Sequence, residues 1–243
     1  MEEIYKKILE SISKNNKKET NNYSNSSQKT RTIINDIRII NYTFKNNLYY
    51  KGNLVLKYKI NFPQIIGCEK FNIYNYNLAK KLQEKCEGEL LEEAKELYDY
   101  NSKNNYPIMV YEVLTVYNVT YNYNMVISLY SDEYIFSGGA HGNTKRTSQS
   151  WNLNKEKMLK LEDFYSENPN YVSTIISEVN AQIASNIKNG NNYYFDNYCC
   201  LTSENFKIEN YYLNRNNIII YYQQYDIAPY SSGILTFNVG QIS

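Results

Sequence analysis

The chain has no run of about 18 apolar residues, the length a membrane-crossing helix needs. Met1 leads straight into a charged amphipathic stretch, so as it stands no export signal or anchor is expected in this sequence. There is no excess charge either. Lysine plus arginine number 26 and aspartate plus glutamate 25, a balance that gives no field to draw in nucleic acid or an anionic membrane. Neither is expected as a partner.

Histidine and tryptophan occur once each, as His141 and Trp151, and there are only nine glycines and four prolines. Cys68, Cys86, Cys199 and Cys200 form no CxxC pair and have no histidine at ligand spacing. No metal site and no cofactor is expected. The cysteines read as small core residues, and a Cys68 to Cys86 bridge would need an oxidising compartment. No phosphate loop, dinucleotide fingerprint or serine nucleophile elbow is present, so no catalytic residue can be named.

What is abundant is tyrosine, 28 residues, with many Asn, Ile and Lys. An AT-rich coding sequence accounts for that bias, and tyrosine also suits recognition surfaces. With 42% hydrophobic and 21% charged residues the chain is globular, and its length allows a sizeable core.

Four segments follow along the chain. Ile4, Ile8, Leu9 and Ile12 share a face, predicting a helix over 1–13, and residues 14–31 are too polar to order by burial and read as a linker. A first α+β half spans 32–136. The alternation from Leu48 to Phe62 predicts a strand ended by Pro63, paired with 33–44 across a loop at Lys45, Asn46 and Asn47. Leu78, Leu82, Cys86, Leu90, Ala94 and Leu97 then trace a long helix whose opposite face is charged and solvated. Gly88 interrupts it and marks close packing against a strand. Strands over 109–123 and 125–136 complete β-β-α-β-β.

The second half, 137–243, opens on Ser137-Gly138-Gly139-Ala140-His141-Gly142-Asn143. Three glycines in five positions allow positive φ and close backbone approach. A strand over 144–153 follows, then a helix from Asn168-Pro169 to a stop at Gly190 with Val172, Ile175, Ile176, Val179, Ile183 and Ile187 inward. A hairpin around 214–217 and a last strand over 234–239 flank a shaped loop, Asp226 to Gly233. The fold class is therefore α+β, with β-β-α-β-β followed by β-α-β-β-β and antiparallel sheets each braced by one long helix.

Three stretches carry a family resemblance: Tyr134 to Gly142; Trp151-Asn152-Leu153 with Leu161 to Tyr165; and Asp226 to Gly233. They resemble the C-terminal domain of the RsiV-like anti-sigma factors and of the bacterial peptidoglycan deacetylase PdaC, and 32–130 is similar in length and element order to the smaller domain that precedes it there. The resemblance implies an extracytoplasmic α+β module, one of whose members recognises lysozyme by direct contact. The proline and tyrosine of that family's late loop match Pro229 and Tyr230. Sigma sequestration and deacetylation do not carry over, since no sigma-binding region or deacetylase domain is recognisable.

The expected function is a non-enzymatic module binding a protein or glycan of the cell envelope. Its candidate binding residues are His141, Gly138, Gly139, Asp226, Pro229 and Tyr230. Two alternatives stay open. One is a hydrolase pairing His141 with Asp132, Glu133, Asp163 or Asp226; the other is a structural protein whose first helix docks on a partner. His141 itself could equally be a residue hydrogen-bonded within the tight turn.

Overall fold

The computed structural model describes residues 37–191 and 193–242. The helix expected over 1–13 and the linker over 14–31 lie outside the described residues. Strands β1 (Ile39–Tyr50) and β2 (Asn53–Ile65) come first, then helices α1 (Glu69–Glu87) and α2 (Glu89–Lys103). Next are β3 (Tyr111–Tyr123), β4 (Val126–Phe136), β5 (Asn143–Asn152) and the short β6 (Lys157–Leu159). A 3-10 turn at Leu161–Phe164 leads to α3 (Tyr171–Lys188), α4 (Tyr198–Glu204), β7 (Tyr211–Asn214), β8 (Asn217–Tyr222) and β9 (Leu235–Gln241).

The α+β class is as expected. Among the described residues, one sheet has six strands in sequential order β1 to β6, and a second has three, β7-β8-β9. The first sheet is not wholly antiparallel, because Leu56–Ile60 of β2 runs parallel to Tyr111–Thr115 of β3. The helices between them return the chain to the end it left, and such a crossover produces a parallel pair. The division between Phe136 and Ser137 is one of sequence. β5 and β6, beyond it, are strands of the first sheet.

One face of the six-stranded sheet packs against α1 and α2. Leu56, Tyr58, Ile60, Phe62 and Val113 from the strands meet Ala79, Leu82, Cys86, Leu90 and Ala94 from the helices. The second sheet packs against α3, where Ile175, Val179 and Ile183 meet Tyr211, Ile218, Ile220, Tyr222 and Phe237.

Several local expectations are corrected. The first hairpin turns at Lys51-Gly52, both at positive φ (48° and 79°), and not at Lys45 to Asn47, which lie within β1. Two adjacent left-handed residues suit the twist of a tight hairpin, and burial of Phe44 and Leu48 on the helix-facing side carries the strand through its asparagines. Pro63 sits inside β2 opposite Asn41. The pairing of β2 with β3 has ended at Ile60, so the missing N–H is not needed on that side.

Gly88 breaks the helix instead of packing on a strand. Its N–H donates to Glu84 O (3.0 Å), its carbonyl accepts from Glu92 N–H, and a Cβ there would lie 3.2 Å from the Glu84 carbonyl oxygen. The helix after Asn168-Pro169 starts two residues late, since Asn168 Oδ1 accepts from Asn170 N–H (2.9 Å) in a turn of its own. The short α4 had no expectation at all, because one turn or two of polar helix has no period to detect.

The cysteines also divide. Cys68 and Cys86 are buried, whereas Cys199 and Cys200 are exposed and not core residues. Cys68 precedes α1 and Cys86 is near its last turn, roughly 27 Å apart at 1.5 Å per residue, so they cannot bridge.

Candidate functional site

The glycine turn and the late loop meet. The Tyr230 ring stacks on the His141 imidazole with centroids 4.0 Å apart and planes inclined by 20°. Tyr230 donates its hydroxyl to Gly142 O at 2.9 Å, and the same carbonyl lies 3.0 Å from His141 Nδ1. A carbonyl only accepts, so this contact puts a proton on Nδ1 and leaves Nε2 for another partner. Tyr225, at φ 68°, continues the aromatic row 5.8 Å from Tyr230 and is 56% exposed.

Glycine is required at two points of this turn for different reasons. Gly138 holds φ 91°, and a Cβ there would touch Leu97 of α2 at 3.0 Å. Gly142 is buried under Tyr134, where a Cβ would lie 2.5 Å from the ring. Gly139, at φ 94°, is exposed in open space.

The late loop is anchored from below. Ile227 and Ala228 are buried, Asn205 donates to Asp226 O (2.8 Å), and Phe195 N–H donates to Ile227 O (3.1 Å). Asp226 is half-buried and accepts from Gln223 N–H (2.7 Å). Burial pushes its carboxyl above the usual carboxylate range, and the Gln223 N–H opposes that. Of the six candidates the structure therefore joins His141 to Tyr230, with Pro229 exposed beside it, while Gly138 and Asp226 serve as supports under the two loops.

A seam missed by sequence reasoning locks the loops to the strands. Arg146 on β5 donates from Nε and a terminal nitrogen to both oxygens of Asp132 (2.7 Å each) and lies over Tyr130, 3.7 Å from its ring centroid. Gln223, at the end of β8, accepts from Arg146 N–H (2.9 Å) and donates to Arg146 O (2.7 Å). Gln224 accepts from Thr144 N–H (3.2 Å). These side chains satisfy an edge of β5 that no strand among the described residues pairs there. Glutamines after an apolar strand carry no periodic signal, so nothing short of the tertiary contact reveals them.

The carboxylates considered with His141 have other work. Asp132 is held by Arg146, Asp163 accepts from Lys160 N–H (2.8 Å), and Asp226 accepts from Gln223. Glu133 lies on β4, opposite Lys145.

This is an α+β arrangement of two sheets whose irregular loops are clamped ring on ring. Residues 50–144 match the family described as Deacetylase PdaC, and residues 162–241 match Protein of unknown function (DUF3298). Among solved structures, a DUF3298 family member from Bacteroides fragilis is 19% identical with TM-score 0.62, covering 85% of this chain and 91% of that one. A DUF3298 family protein from Pseudomonas aeruginosa is 16% identical with TM-score 0.55, covering 84% and 91%. These two likenesses are of fold. No curated protein matches the chain.

Proposed function

We propose that this chain is a binding module that recognises a cell-envelope ligand, either a protein such as lysozyme or a peptidoglycan glycan, through the paired loops around His141 and Pro229–Gly233. The observation that carries this reading is the stacking of Tyr230 on His141 over a shared Gly142 carbonyl. An aromatic pair of this kind adds about 0.5–1.5 kcal/mol beyond area burial, enough to hold two loops in one arrangement before a ligand arrives. A surface ordered in advance loses less entropy on binding. The exposed Tyr225, Pro229 and His141 then offer rigid amphipathic contact area.

The matches to the PdaC and DUF3298 families support a cell-envelope setting, and the resemblance of Pro229 and Tyr230 to the late loop of RsiV-like anti-sigma factors, read from the sequence, supports a protein ligand. A hydrolase reading has less to stand on. Three of its four carboxylates are committed to other donors, and the imidazole is stacked on a phenol and bonded to a carbonyl.

Calorimetric titration with lysozymes and with soluble peptidoglycan fragments tests this reading. Binding of one of them, weakened about tenfold or more by Tyr230→Ala, is the expected result, since a central aromatic is where such energy concentrates. Failure of both ligands to bind would end the proposal.

A further inference from the structure

A second surface lies on the opposite face of the first sheet from α1 and α2. Lys45 of β1 and Lys59 of β2 are directly opposed in the antiparallel register, and Asn47 is opposed to Lys57 on the same face. Like charges so placed repel and weaken the pair. The arrangement is a cost to the fold unless an anion sits over it.

These residues line a cleft of about 620 Å³ that also takes in Asn46, Tyr49 and Glu112. Among the described residues Glu112 is the one acid lining it, and it is already paired with Lys57 at 3.1 Å. Lys45 and Lys59 are exposed, and among the described residues neither has an ion-pair partner. Tyr49 is 61% exposed, an aromatic ring left in water at the rim.

From this cleft we infer that the β1–β2 face is a binding site for an acidic polysaccharide, one bearing carboxylates on hydroxylated sugar rings. The two unpaired ammonium groups would take the carboxylates. The Asn47 amide suits hydroxyls, which both donate and accept. Tyr49 offers a flat apolar face to a sugar ring. Phosphate polymers fit less well, because among the described residues the cleft has no arginine to fork onto a phosphate.

The site stands apart from the loop pair, so the two readings succeed or fail separately. The row Lys45, Lys59, Leu114, Tyr134 and Thr144 crosses five strands on this one face and ends where Tyr134 covers Gly142. A long glycan could therefore run from the cleft towards the loops, but its anchoring is by the lysines.

The experiment is titration of the full chain with a galacturonate hexamer, an uncharged maltose-series hexamer, inorganic polyphosphate and a single-stranded oligonucleotide. The expected result is binding of the galacturonate alone, weakened about tenfold in Lys45→Gln/Lys59→Gln and unchanged in His141→Ala. That double variant relieves a repulsion, so it should melt no lower than the parent chain. No binding of the galacturonate, equal binding of the uncharged hexamer, or full affinity in the double variant would overturn the inference. Tighter binding of polyphosphate or the oligonucleotide would overturn it too, by replacing the glycan with a phosphate polymer.

Discussion

Gln223 treats Arg146 as a neighbouring strand would, its side-chain amide accepting from the backbone N–H and donating to the backbone carbonyl of that one residue. A side chain at the end of β8 thereby completes the edge of β5 and ties the second sheet to the first. Gln223→Ala should leave both backbone groups without these bonds and cost about 1–3 kcal/mol. Gln223→Glu should be no better, since a carboxylate cannot donate to the Arg146 carbonyl. Chemical denaturation of both variants checks this. If either is as stable as the parent chain, the edge is satisfied by other means.

Gly142 tests how tightly the turn is packed. Gly142→Ala drives a methyl group into the Tyr134 ring and should cost about 1–3 kcal/mol. In a Tyr134→Ala background the same substitution should cost much less, because the obstacle is gone. Equal losses in both backgrounds would show that the glycine is needed for its backbone and not for space.

The four thiols should fall into two pairs. In the folded protein, Cys199 and Cys200 should react with a maleimide within minutes, and Cys68 and Cys86 only after unfolding. Burial pushes the Cys86 thiol up to about 12, which suppresses the thiolate as well as access to it. Mass spectrometry before and after denaturant reads out the count. Four reactive thiols in the native state would contradict the burial of α1.

Alkali should unfold the protein through its buried phenols. Tyr221 is 1% exposed, and burial pushes its hydroxyl up to about 12 from an ordinary value of about 10. Below pH 10 both the folded and unfolded phenols keep their protons and nothing changes. Between about pH 10 and 12 the unfolded chain binds fewer protons than the folded one, so stability falls, by about 3 kcal/mol for this group. Tyr222 is shifted in the same direction by burial. Denaturant midpoints measured from pH 8 to 12 should drop across that window, less steeply in Tyr221→Phe. A flat profile would mean these phenols ionise freely in the native state.

What could be read in advance follows the physics of each element. α3 was legible from Ile175, Val179 and Ile183 because a helix facing one core repeats its apolar residues every three to four positions. Tyr230 and His141 were legible as unusual residues in irregular segments. Their stacking was not, for they are 89 positions apart and no local pattern relates them. The cationic cleft was hidden in the same way: Lys45 reads as a loop residue and Lys59 as an ordinary outward one until the hairpin turns at Lys51-Gly52 and sets them side by side.

The amino-acid order by itself determined the α+β class, the apolar stripes of the helices and the glycine turn. These depend on periodicity and on backbone freedom, both properties of neighbours in the chain. Only the tertiary structure decided which strands share a sheet, that β2 and β3 run parallel, and that two distant loops close ring on ring. Those outcomes depend on which buried surfaces and unpaired edges find each other across long chain separations, and no window of sequence contains that information.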